Sequence, residues 1–154
     1  MTSDDNLQNA DDRRERMAVL AHAEGDELRR LWHEAGICVD ARLVRGPETG
    51  LATVRGRIGG GGSPFNVGEV TVTRATVRLA AGQVGHAYGL GRDHDKARIA
   101  ATLDALSQDP AWQARVETAI LAPLRRQHTE AETRKREETA ATKVDFFTLV
   151  RGED

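Results

Sequence analysis

Residues 68–91 read GEVTVTRATVRLAAGQVGHAYGLG, and the fold turns on this stretch. Over 68–79, β-branched residues recur at a period near two, which predicts a strand. The apolar parity changes between Val72 and Val77, so a bulge or bend is expected near Arg74 and Ala75. AAGQ supplies a turn. VGHAYGLG then predicts a second strand with Val84, His86, Tyr88 and Leu90 on one face.

Two further strands are expected upstream. In ICVDARLV (37–44), Ile37, Val39, Ala41 and Leu43 alternate with Cys38, Asp40 and Arg42. In LATVRGRI (51–58), Ala52, Val54 and Ile58 oppose Thr53, Arg55 and Arg57. RGPETG between them has turn chemistry, which predicts a hairpin. The expectation is an α+β fold with a four-stranded, mainly antiparallel sheet packed with helices.

The helices flank the sheet. From Asp11, the residues Met17, Leu20, Leu28, Leu31, Trp32 and Ala35 form one apolar stripe, stopped by Gly36 as the left-handed cap. After Gly91, Asp93 is the expected N-cap of a helix whose apolar face is Ala97, Ile99, Ala100, Leu103 and Leu106. DPAW restarts a helix with Asp109 as N-cap and Pro110 in the first turn. Trp112, Val116, Ala119 and Ile120 face the core, and Pro123 bends or ends the element. RRQHTEAETRKREETAATK (125–143) has good helix formers and no apolar stripe. It predicts an arm of roughly 28 Å at the helical rise. The expected organisation is a disordered N-terminus over 1–10, a core over 11–124, and the charged helical arm with a terminal strand over 125–154.

KVDFFTLVRGED ends the chain, and two of its three Phe, Phe146 and Phe147, sit there. With Leu149 they make VDFFTLVR apolar on both faces of a strand. Burying two Phe contributes roughly 3–6 kcal/mol, while each ordered backbone residue costs about 1–2 kcal/mol. The aromatics alone do not offset that cost, so the segment needs ladder bonds and cover on both sides. It is an edge strand in cis or an insertion into a partner, and the long polar arm favours the partner.

Net charge is −2 with a pI near 6.2, so no global basic footprint marks nucleic-acid binding. The single cysteine, Cys38, excludes an intrachain disulfide framework. The polar N-terminus lacks an apolar signal segment, and no run approaches the ~20 apolar residues of a membrane span. A cytoplasmic protein is expected.

Candidate chemistry is sparse. RIGGGG lacks the GK[ST] ending of a phosphate loop and reads as a flexible loop. It could still close over a phosphate supplied by a neighbouring subunit. His86, Asp93, His94 and Asp95 have no paired ligand spacing, and a helix start explains the acids, so no metal is expected. Arg55, Arg57, Arg74, Arg78 and Arg92 lie on or beside the sheet, with Arg57 and Arg92 the anion-binding candidates. Glu48, in the PETG turn, is the one candidate acid–base carboxylate. Cys38 has no helper and reads as an inert thiol; His22 and His33 read as structural or exposed.

ETGLATVRGRIGGGGSPFNVGE, TRATVRL, GHAYGLGRD, ILAPL and KVDFFTLVRG together resemble the PhnG family, the G subunit of the bacterial carbon–phosphorus lyase core complex. The resemblance runs from about Met17 to Gly152. The second half of GRDHD and most of the arm depart from the family pattern. The resemblance implies a role in phosphonate breakdown with the H, I, J and K subunits and the ATPase-like L protein. The implied step displaces adenine from MgATP by an alkylphosphonate, giving α-D-ribose 1-alkylphosphonate 5-triphosphate. Radical cleavage of the C–P bond belongs to the iron–sulfur J subunit; this chain has no cysteine cluster to hold such a group. The I subunit resembles a nucleoside-cleaving catalyst. The chain is therefore expected to bind no cofactor itself, with MgATP a substrate of the complex, and chiefly to hold and shape the I subunit through Phe146, Phe147 and Leu149. The alternative is a direct active-site contribution from Glu48, Arg57 or Arg92. A nucleic-acid-binding module is a remote third reading.

Overall fold

A computed structural model describes residues 3–57 and 61–141. Helices α1 (Ser3–His22) and α2 (Gly25–Glu34) lead into β1 (Ala41–Gly56), β2 (Phe65–Leu79) and β3 (Val84–Leu90). Then follow α3 (His94–Leu106), α4 (Pro110–Val116), a π-helical turn (Glu117–Leu121) and α5 (Ala122–Ala141).

The sheet is antiparallel with order β1-β2-β3, so among the described residues three strands stand where four were expected. ICVDARLV and LATVRGRI do not pair with each other. Their strand-forming parts fuse into the 16-residue β1, and RGPETG is absorbed as irregular strand. An edge position makes this possible, because Pro47 then need not donate to a ladder. Register shifts between Leu43 and Arg45 and between Arg45 and Glu48 take up the extra residues. Gly46 sits at φ +48, a region open to glycine. Near the expected position the bulges thus lie on β1, opposite Thr76 and Arg74, while β2 pairs with β3 unbroken from Val72 to Arg78; the extra residue on β2 is Val67, at the shift between Val54 and Arg55. Ile37 to Asp40 lie outside the strand, with Ile37 buried.

The N-terminal helix also differs from expectation. It begins at Ser3, so residues 3–10, expected to be disordered, are helical, and it breaks at Ala23 and Glu24. Gly25 begins α2, and a Cβ there would collide with the Asp93 carboxylate. Gly36 closes α2 at φ +57 as its position suggests.

All five helices serve one face of the sheet. Thr73, Ala75, Val77 and Leu79 point from β2 into the core and meet α3. That helix was expected to bury one stripe but is buried almost all round, from Ile99 to Leu106. It lies centrally between the sheet and α1, α2 and α4, and a helix so placed has little face left for water. Gly85 lets it approach β3: a Cβ there would stand 2.5 Å from the Ala105 backbone nitrogen. Asp93 caps α3 by accepting from the Lys96 N–H at 2.9 Å, and Asp109 caps α4 by accepting from the Ala111 N–H at 2.9 Å. Pro123 neither ends nor replaces the last helix. The π-turn just before it, in which the Ala122 N–H reaches the Glu117 carbonyl, accommodates the missing donor and the ring.

α5 is the expected polar arm. Leu124 anchors it in the core, and Arg125 Nη2 and Nε hold Glu15 at 2.8 and 2.7 Å. Gln127 donates to Glu27 at 2.6 Å, and the rings of His22 and His128 lie 5.6 Å apart. Residues 129–141 are exposed, projecting the arm roughly 20 Å at the helical rise. Ile58 and the terminal segment with Phe146, Phe147 and Leu149 lie outside the described residues.

Candidate functional site

Glu48 leaves the expected turn and stands on β1, on the sheet face away from the helices, directly across from Arg74. Its Oε1 accepts from Arg74 Nε and from Arg45 Nε, each at 2.6 Å. Arg74 is the larger influence holding the carboxyl below its ordinary range; slight desolvation opposes it and Arg45 assists. A carboxylate so held is a poor proton donor to a departing base. Its observed work is to tie the bulged segment of β1 to β2.

The two anion candidates are not brought together. Arg92 follows the turn at Gly91 and lines an open groove with Thr49, Gly50, Leu51, Thr71 and His94. Arg57 follows the far end of β1, roughly 20 Å along the strand from Leu51 at the strand rise. Both are exposed. Beside Arg92 runs a hydroxyl chain: His94 Nε2 meets Thr49 Oγ1 at 2.8 Å, Thr49 meets Thr73 Oγ1 at 3.1 Å, and Thr73 donates to the Gly91 carbonyl at 2.7 Å.

Of the four residues considered for a metal, His86, Asp93 and His94 are engaged separately, and Asp95 sits in the first turn of α3. His86 Nδ1 pairs with Thr76 Oγ1 at 3.1 Å, and Asp93 takes Arg29 Nη1 at 2.8 and 3.0 Å as well as capping α3. Burial would push the Asp93 carboxyl up, but the Lys96 N–H and Arg29 together hold it low. Among the described residues, no group of three or more His, Cys, Asp or Glu stands together.

A cleft of about 40 Å³ lies between α1, β3 and α3, lined by Lys96 and Asp93 together with Met17, Leu20 and Ala100. Burial pushes the Lys96 ammonium below its usual range, Glu24 and Asp93 opposing, and Nζ donates to the Ala21 carbonyl at 2.7 Å. This volume takes a water or two and no nucleotide.

Sequence reasoning missed the most buried charge. Asp104 is 1% exposed, accepts from Arg13 Nε and Nη2 at 3.0 and 2.7 Å, and takes the His86 backbone N–H at 2.9 Å. It ties α1, α3 and β3 at one point. The signal was present, since Asp104 interrupts the apolar run ATLDAL.

The described residues thus offer a scaffold with cations on one face, and with hydroxyls beside imidazoles at Thr49–His94 and Thr76–His86. Kinship is a different matter. The family model for phosphonate metabolism protein PhnG matches residues 11–152. The chain belongs to the PhnG family. It is 55% identical over 142 residues to the alpha-D-ribose 1-methylphosphonate 5-triphosphate synthase subunit PhnG of Rhizobium meliloti (strain 1021), across 92% of this chain and 90% of that one. The family match spans the bulged β1, the Gly-rich connection, α3 and the terminal segment alike. No helix among the described residues is long and apolar enough to cross a membrane.

Proposed function

We propose that this chain is the PhnG subunit of a cytoplasmic alpha-D-ribose 1-methylphosphonate 5-triphosphate synthase in phosphonate catabolism. The near full-length likeness to a subunit bearing that name carries the reading. It works with the I, H and L proteins in displacing adenine from MgATP by an alkylphosphonate, and within a core that also contains J and K. Its part is to hold and shape the catalytic I subunit. The Glu48 carboxylate, ionised between two guanidiniums, supports a scaffold over a proton donor. The terminal segment with Phe146, Phe147 and Leu149 serves as an anchor on a partner; removing residues 144–154 then weakens assembly while leaving the monomer folded.

Adenine release from MgATP and methylphosphonate by the H, I and L proteins, with and without this chain, tests the proposal. Turnover is expected with it and absent without it. Equal turnover in both mixtures, or turnover by this chain alone, would overturn the reading. Arg92, unpaired among the described residues and beside the Thr49–His94 bond, supports a narrower second reading as an anion contact. Arg92→Ala then raises KM for MgATP in the assembled complex.

A further inference from the structure

Among the described residues, the sheet has one face without helices, and its charges are arranged unlike a solvated surface. Arg42 and Arg78 are direct cross-strand partners on that face, both exposed, and neither has an ion-pair partner among the described residues. Like charges set directly opposite destabilise a sheet. Next along the strands, Arg45 and Arg74 share the single carboxylate of Glu48. Four cations and one anion therefore form a strip on a chain whose net charge is −2. Beyond the strip the same face turns apolar, with Tyr88 52% and Leu90 71% exposed on β3.

We propose that this face is a docking surface for another subunit of the complex, one presenting an apolar patch bordered by carboxylates that meet Arg42 and Arg78. The inference rests on the subunit reading above and adds where contact is made and by what chemistry. Strand addition at the sheet edges is disfavoured. β1 carries Pro47 and two bulges along its outer edge, which are features that block pairing. At β3, the Val84 carbonyl already accepts from Arg13 and Gln108. A second copy of this chain is disfavoured too, because a two-fold contact through this face would set cations against cations. The apolar half favours a protein over a free nucleotide, which would satisfy the arginines and leave Leu90 in water.

The affinity of the full chain for the complex lacking it decides the matter. Arg42→Glu with Arg78→Glu should weaken binding at least tenfold, as should Leu90→Asp, while Arg98→Glu on the exposed side of α3 should change it less than twofold. A second readout moves the other way. Arg78→Thr removes the like-charge pair, so the isolated chain should melt at a higher temperature in low salt while binding its partners more weakly. Binding within twofold of wild type for both the arginine and Leu90 variants would overturn the proposal and leave the subunit reading standing. Intact assembly with lost ATP binding in the arginine variant would also overturn it, marking a small-anion site instead. Failure of the wild-type chain to bind would sink both readings together.

Discussion

The two faces of one sheet solve opposite problems. Toward the helices, Ala75, Val77 and Leu79 share an apolar core with α3, and the buried carboxylate of Asp104 there is fully engaged. Away from them, Leu90 and Tyr88 face water while Arg42 and Arg78 oppose each other. The first face stabilises the isolated chain through apolar burial, at roughly 25 cal/mol per Å². The second contributes little to folding and exposes what assembly can bury. Substitutions on the two faces should therefore differ in what they break, stability on one and association on the other.

The largest contrast comes from a leucine on each side. Leu103→Ala, at a position with no exposure, should cost about 4 kcal/mol in chemical denaturation through lost transfer energy and a cavity. Leu90→Ser should stay within about 0.5 kcal/mol of wild type in the same measurement. Equal losses would mean that the outer face is part of the monomer's core, and the comparison would collapse.

Asp104→Ala sharpens the inner side of the comparison. It strips Arg13 of its partner and orphans the His86 N–H. The expected loss is about 3 kcal/mol, the lower end for a broken buried pair, because Arg13 is itself about a third exposed. Asp104→Asn, which keeps an acceptor for the N–H, should recover part of that loss. Gly85→Ala comes next, at about 2 kcal/mol, since the new methyl presses on the α3 backbone and not on a yielding side chain.

How much of this could be read from the chain depends on how local each cause is. Asp93, Asp109, Pro110 and Gly36 act within a turn of their own position, and each marked its helix end correctly. The number of strands failed because RGPETG satisfies the local rules for a turn. What overrides them is that β1 is an edge strand, a fact set by the order of the sheet. The break at Ala23 and Glu24 left no periodic trace in the apolar stripe, and Gly25 just after it faces the Asp93 carboxylate, a contact set by the tertiary fold. Of the candidate site, Glu48 and the arginines were visible as residue types. Their pairing was not, because register decides whether Arg42 faces Arg78 or an acid.

Glu48 gives the smallest effect and the most direct separation of its two roles. Its folded pKa lies below the ordinary 4.5 because Arg74, and then Arg45, bind the ionised form. A carboxyl lowered in this way adds stability above its unfolded pKa, and that stability is lost as pH falls through the lower folded value. The Tm gap between wild type and Glu48→Gln should therefore be small at pH 7, since both ion pairs stand at the solvent-exposed surface. It should shrink as pH falls below the ordinary carboxylate range and vanish once pH is below the lowered folded value. Glu15, Glu27 and Asp93 are lowered as well, but they titrate in both proteins and cancel in the difference. In the assembled complex, Glu48→Gln should leave the rate of adenine release unchanged. A general acid would need its pKa raised toward neutrality, and two guanidiniums at 2.6 Å do the reverse. A tenfold loss of rate with a normal Tm would show that a partner subunit re-forms the surroundings of this carboxylate, and Glu48 would then belong to the chemistry.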